Sequence, residues 1–207
     1  MRFGEKARIM YNNGRDALHQ LQGYRGMLDY YALDTSVVRV EVEDKLKRAL
    51  LDDAEYAITL LLCHGWGRTD DEAVISWTIQ RQVNEIEWEP AELHLTKENI
   101  ADFVTTGNGI LVNLACWSAK VVWADAFLNA GFHWYIAPEK TSDMFSAYQF
   151  VGAFLGYLVY EERDSGKRVV SVPEAVEMAR KIDDFCDGAA GFRVYGGNME
   201  HDAPAAA

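Results

Sequence analysis

The sequence predicts an α/β protein with a mostly parallel central sheet and helices on both faces. Three observations predict it. Short apolar or β-branched runs alternate with helix-like segments along almost the whole chain, the order that winds a parallel sheet between two helical layers. Two of the runs, 57–62 and 109–115, carry no charged residue and lie next to glycine-containing turns, as strands buried on both faces do. The run Val37 to Val42 is rich in β-branched residues, which pack well on a pleated surface.

Taken in order, Lys6 to Asn12 reads as the first strand, stopped by the turn Asn12-Asn13-Gly14. Arg15 to Tyr31 has helical character interrupted at Gly23 and Gly26. Val37 to Val42 is the second strand. Asp44 to Asp52 follows as a helix, supported by the acid-first pairs Glu43/Lys47 and Asp44/Arg48. Tyr56 to Cys63 is a central strand. Ile75, Trp77 and Ile79 alternate with Ser76, Thr78 and Gln80, which reads as a half-buried strand with Ile86 and Trp88 in its hairpin partner. Thr96 is the expected N-cap of a helix over Lys97 to Thr106, ended at Gly107. Gly109 to Ala115 is the next buried strand. Ala119 to Ala130 reads as a helix stopped by Gly131, and Phe132 to Ala137 as a strand. Ser142 to Glu162 is a long helix. Ser171 and Glu174 frame a capping box that opens a helix to Phe185. Phe192 to Tyr195 is the last strand. Without repeats or a linker, residues 1–195 form one expected domain, with 196–207 as a flexible C-terminal tail.

Composition narrows the function classes. The chain has 207 residues, 49% of them apolar, enough for a sizeable core. A net charge of −12 opposes a nucleic-acid binder, which needs a basic face. The first ten residues hold no long apolar stretch, so no secretory signal is expected. The three cysteines, Cys63, Cys116 and Cys186, form no Cys-x-x-Cys pair and no disulfide framework, which fits reduced thiols and a cytoplasmic setting. Residues 144–160 carry no charge over 17 positions, the lower edge of the roughly 17–25 a membrane span needs. Ser146, Gln149, Gly152, Gly156 and three tyrosines within it favour a helix buried against a sheet, so no membrane partner is expected.

Two buried strands end in chemically competent residues. One closes on Leu62-Cys63-His64-Gly65, the other on Leu114-Ala115-Cys116. Sites in open α/β sheets form beyond the carboxyl ends of the strands. If the two strands are neighbours, His64 and Cys116 meet there. The thiolate is the nucleophilic form of cysteine, and an imidazole beside it can take the thiol proton and later pass one to a leaving amine. Gly65 allows close approach of backbone, and its N–H with that of Cys116 makes a candidate oxyanion hole. The helix after Cys116 would favour a thiolate through its positive end. Asn113 is a candidate to orient His64. Trp66 and Trp117, each beside a site residue, are candidate walls of a substrate groove. Cys63 should point to the opposite side of its strand from His64 and pack in the core.

LLCHGW followed by ILVNLACWSA resembles the caspase-like peptidases of the separase, gingipain and CHAT-domain group, and CHAT-domain proteins most of all. The separation of 52 residues from His64 to Cys116 resembles the caspase spacing of about 50. AELHLTKENIADF resembles the segment these proteins place between the two strands. WADAFLNAGFHWYIAPEKTSDMFSAYQFVGAFLGYL resembles the segment after the cysteine in CHAT domains. The resemblance covers about Tyr56 to Arg180. It implies a three-layer caspase-like sandwich and a cysteine endopeptidase with His64 and Cys116 as its dyad. It also implies a protein or peptide substrate, a possible regulatory protein partner and no cofactor. The alternative is a non-catalytic interaction module of the same fold within a larger assembly. Caspases carry Gln two residues before the cysteine, and metacaspases Asp; here Leu114 stands there. Arg15 and Asp16, after the first strand, are candidate linings of the specificity pocket. Arg15 would favour an acidic substrate residue, Asp16 a basic one.

Overall fold

The computed structural model of the chain describes residues 5–12, 15–50, 55–84, 86–159, 170–185 and 191–197, with the side chains of 15–18 and 183–185 excepted. Its central sheet has six strands. They are β1 (Lys6–Tyr11), β2 (Asp34–Arg39), β3 (Ile58–Leu62), β7 (Ile110–Asn113), β8 (Trp134–Pro138) and β9 (Phe192–Gly196). The order is β2-β1-β3-β7-β8-β9, parallel throughout except for β9, which runs antiparallel to β8. Between β3 and β7 the chain builds a second, antiparallel sheet from β4 (His64–Trp66), β5 (Val74–Gln82) and β6 (Trp88–Leu95).

The central strands are apolar on both faces because each face meets its own layer. Ile9, Leu60, Val112 and Ile136 point into a core shared with Phe150, Phe154 and Val176. Those residues come from α4 (Met144–Val159) and α5 (Val172–Phe185), which lie on that face with α1 (Arg15–Tyr30). Their strand neighbours Met10, Leu61, Leu111 and Tyr135 point the other way, as the two-residue period of a strand requires. They pack with Leu46 of α2 (Glu43–Leu50), with Trp123 and Phe127 of α3 (Val121–Asn129), and with Ile75, Trp77 and Ile79 of β5. The fold is a three-layer α/β sandwich. Among the described residues no helix is long and apolar enough to cross a membrane.

Several expected elements change. Helix α1 runs unbroken through Gly23 and Gly26. Gly23 is there for a tertiary contact and not as a break: a Cβ at that position would lie 2.9 Å from the Tyr148 ring. Strand β2 begins at Asp34, three residues before Val37, because it pairs in register with Lys6–Tyr11. The helix expected over Lys97 to Thr106 shrinks to one 3-10 turn, Ile100–Asp102. Asn99 competes with it: its Oδ1 accepts the Thr96 N–H (2.8 Å) and its Nδ2 donates to the His94 carbonyl (2.9 Å), the local bonding by which Asn opposes helix. Gly196 belongs to β9 rather than to the tail, and residues 198–207 lie outside the described ones.

Candidate active site

Strands β3 and β7 are neighbours, with Leu61 opposite Asn113, and the pairing extends past β7 through the Leu114 N–H donating to the Leu61 carbonyl (3.0 Å). The two chains therefore leave the sheet side by side at its carboxyl edge. One turns after Cys63 into β4, which begins at His64; the other reaches Cys116. His64 and Cys116 are brought to one cavity of about 240 Å³, whose walls also include Cys63, Leu114, Tyr24 and Asp143.

The loop that carries Cys116 is held by buried hydrogen bonds. Asn113, fully buried, accepts the Ala115 N–H on Oδ1 (3.0 Å) and donates from Nδ2 to the Tyr135 hydroxyl (3.0 Å). Tyr135 donates onward to the Ser118 carbonyl (2.8 Å), and the Ser118 hydroxyl donates to the Ala115 carbonyl (2.5 Å). Asn113 thus anchors the loop, and its polar atoms engage Cys63, Ala115 and Tyr135 rather than His64. Trp117 adopts the left-handed conformation (φ 60°), and its N–H donates to the Lys140 carbonyl (3.1 Å).

Ser142 is the residue that touches the Cys116 sulfur. It donates its N–H (3.4 Å) and accepts the thiol at its carbonyl (3.6 Å). Ser142 lies two residues before α4. The Cys116 sulfur thus meets the segment that leads into α4, while α3 begins at Val121. Asp143 caps α4, accepting the Phe145 N–H (2.8 Å), the Ser146 N–H (2.9 Å) and the Ser146 hydroxyl (2.8 Å). Bonds from Ser146, its N–H first, hold the Asp143 carboxyl below the usual range.

Gly65 has a structural reason of its own. A Cβ there would sit 2.4 Å from the Cys116 carbonyl oxygen and 2.9 Å from the Ala115 Cβ. The missing side chain lets β4 lie directly on the cysteine loop. Cys63 packs against the core shared by α2, α3 and β5, as expected, but it also reaches the site. It follows the last residue of β3, where the chain swings out of the sheet, and it shares the cavity with Cys116 while its thiol donates to Asn113 Oδ1 (3.7 Å). Burial, and then the Cys116 charge, push the Cys63 thiol well up.

Trp66 is 44% exposed and stands edge-on to His94 at 5.1 Å. The Trp117 indole N–H donates to Thr141 Oγ1 (3.1 Å), and Arg68 lies over its ring at 5.7 Å. Neither tryptophan is among the cavity walls. Arg15 and Asp16 begin α1, but their side chains, like Cys186, lie outside the described residues.

Sequence reasoning missed Ser142 and the polar face of the second sheet. There His64 is paired across to Ser76, and Ser76 to His94. The Glu92 carboxylate, opposite Thr78, accepts the hydroxyls of Ser76 (2.5 Å) and Thr78 (2.8 Å). Burial works to raise the Glu92 carboxyl, but those two hydroxyls, with His64 and His94 nearby, outweigh it and hold the group below the usual carboxylate range.

No protein-family model matches the chain, and no curated protein matches it.

Proposed function

We propose that the chain is a caspase-like cysteine endopeptidase that cleaves a protein or peptide partner through an acyl-enzyme. The observation that carries this reading is the single cavity walled by both His64 and Cys116 at the carboxyl ends of adjacent parallel strands. In the reaction, Cys116 gives its proton to His64 and its sulfur attacks the scissile carbonyl. The N–H groups of Gly65 and Cys116 hold the oxyanion. His64 then protonates the leaving amine, the C–N bond breaks, and a thioester remains on Cys116. Water, giving a proton to His64, attacks the thioester; the acid leaves and the thiol is restored.

Two features support the assignment of roles. Ser142 fixes the Cys116 sulfur at the cavity, donating its N–H to it and accepting the thiol at its carbonyl. Cys63, though it shares the cavity, has its thiol pushed well above the ordinary range by burial, so it is the poorer nucleophile. Leu114 makes an apolar wall of the cavity at the position where caspases carry Gln. A second reading, a non-catalytic interaction module, is favoured by the exposed Met144 and Phe145 at the start of α4, 55% and 62% accessible, of which Met144 also lines the cavity.

The deciding experiment digests a denatured-protein peptide library with wild type and with Cys116→Ala, and maps iodoacetamide labelling on the wild type. The expected result is loss of cleavage by at least about a thousandfold in C116A, with Cys116 alkylated faster than Cys63. Cleavage that survives in C116A, or equal labelling of the two thiols, overturns the proposal.

A further inference from the structure

Trp117 follows Cys116 directly and holds an uncommon backbone. Its φ is 60°, a conformation that strains a bulky residue and that recurs where function demands it. Bonds at both ends fix the residue there. Its backbone N–H donates to the Lys140 carbonyl (3.1 Å) and its indole N–H to Thr141 Oγ1 (3.1 Å). Trp117 is only half-buried, so its ring is set as a surface beside the thiol rather than as filling of the core.

Two cations lie over this ring. The Arg68 guanidinium is 5.7 Å from its centroid and the Lys120 ammonium 5.9 Å. Arg68 comes from the loop after β4, and Lys120 is the residue before α3. Gly65 lets β4 lie on the cysteine loop, which brings Arg68 to Trp117. Lys120 donates to the Arg68 carbonyl, which leaves its ammonium two further donors. Like charges gathered on one ring repel, and the aromatic face offsets only part of that. Among the described residues neither cation forms an ion pair. The acids close to them in the chain are engaged elsewhere or stand apart: Asp71 pairs with Lys97, and Glu139 with Arg193. In a chain of net charge −12, two cations without an acid beside the nucleophile mark a place for an incoming anion.

The cavity lies on the other side of Cys116. Its walls include Tyr24 of α1 and Ala147 of α4, helices on one face of the central sheet. Arg68, Trp117 and Lys120 are not among those walls; they stand where the second sheet and α3 begin, in the layer on the opposite face. A peptide drawn across Cys116 therefore puts one side chain into the cavity and runs its neighbouring segment over Trp117. We propose that this segment is acidic: Arg68 and Lys120, held on the Trp117 ring, bind Asp or Glu side chains of the substrate on one flank of the cleaved bond. Arg68 supplies a planar fork that matches a carboxylate. Lys120 supplies a second charge, and the indole a flat apolar support for the side-chain stem. The proposal deepens the peptidase reading and rests on it for the part played by Cys116.

The test reads binding and cleavage separately, both on the full chain. Binding is titrated by fluorescence anisotropy in the Cys116→Ala background with two labelled peptides, one rich in glutamate and a twin with glutamine at the same positions. Cleavage sites in a denatured-protein peptide library are mapped by mass spectrometry with Cys116 intact. Each measurement is repeated with Arg68→Gln, with Lys120→Gln and with both. The expected preference for the glutamate peptide is about fivefold, the scale of a pair of exposed ion pairs, against a net charge of −12 that opposes it. The preference is lost in R68Q/K120Q and fades as salt is added. Cleaved bonds carry an excess of Asp and Glu on one flank, which R68Q/K120Q removes. Equal binding of the two peptides, cleavage sites without that excess, or a preference that survives in R68Q/K120Q overturns the proposal and leaves the peptidase reading standing. A glutamate preference that needs Arg68 and Lys120, in a chain that cleaves no library peptide, upholds the acidic-peptide site and overturns the peptidase reading alone.

Discussion

Gly65→Ala tests the site at its tightest contact. The new Cβ would lie 2.4 Å from the Cys116 carbonyl oxygen and 2.9 Å from the Ala115 Cβ. Carbon–oxygen contacts settle near about 3.3–3.6 Å, so β4 and the cysteine loop must part by roughly 1 Å. Neither side yields cheaply. Strand β4 is paired with β5, and the loop is tied through Asn113, Tyr135 and Ser118. Overpacking of this kind costs about 1–3 kcal/mol of stability. A misplacement of roughly 1 Å between reacting groups costs on the order of a hundredfold in rate. The assay is the rate of Cys116 alkylation near neutral pH, with peptide cleavage alongside and urea unfolding to measure stability. The expected G65A protein is folded, less stable by that amount, and slowed far more at Cys116 than the stability loss explains. If G65A keeps both its unfolding midpoint and the full reactivity of Cys116, the contact does not hold the two site segments together, and the argument for Gly65 fails.

Two further predictions concern the frame of the cavity. Asn113→Leu keeps the volume but deprives the Ala115 N–H of its acceptor and the Tyr135 hydroxyl of a partner; urea midpoints should fall by the equivalent of about 1–3 kcal/mol, and an unchanged midpoint would show that the network does not hold the loop. Asp143 has its carboxyl lowered by bonds from Ser146 and Phe145, so the stability it adds is present above the ordinary carboxylate range near about pH 4 and is lost as pH falls through the depressed native value. Asp143→Asn keeps the cap without the charge, so unfolding midpoints taken across acid pH should fall less steeply in D143N than in wild type; equal slopes would refute the assignment.

The central strands were legible because their side-chain pattern has a direct physical cause. A strand covered on both faces must be largely apolar, and β3 and β7 are, with Thr59 and the hydrogen-bonded Asn113 as their polar positions. The opening of α5 was legible for a local reason: the Ser171 N–H donates to Glu174 Oε2 (2.8 Å) and the Glu174 N–H to Ser171 Oγ (3.4 Å), within four residues. The misreadings have two causes, one distant and one local. Gly23 marks a close contact rather than a helix break, since Tyr148 of α4 packs where its side chain would be. Segment 97–106 reads as a helix from Thr96 and Gly107, but Asn99 bonds back to His94 and stops the helix before it forms.

The candidate dyad was legible by the same rule as the strands, since each residue lies just past a buried run whose end the sequence marks. The rest of the site depends on register between elements far apart in the chain. Ser142 reaches the sulfur from 26 positions away, and nothing near Ser142 or Cys116 in the chain announces it. The polar face of the hairpin is an intermediate case. Reading Ile75, Trp77 and Ile79 as the buried face already assigns Ser76 and Thr78 to the other one. The partner strand was expected to hold Ile86 and Trp88; the structure begins it at Trp88, and only its register pairs Ser76 with His94 and Thr78 with Glu92. No local pattern supplies the fact that β4 adds itself to this sheet at His64. That depends on the geometry of β3 leaving the central sheet beside β7, where the short Gly65 contact sets how closely β4 can lie. The hairpin is therefore more than a connection between β3 and β7: the register that buries its apolar face is the same register that sets Ser76, Thr78, His94 and Glu92 together on the other.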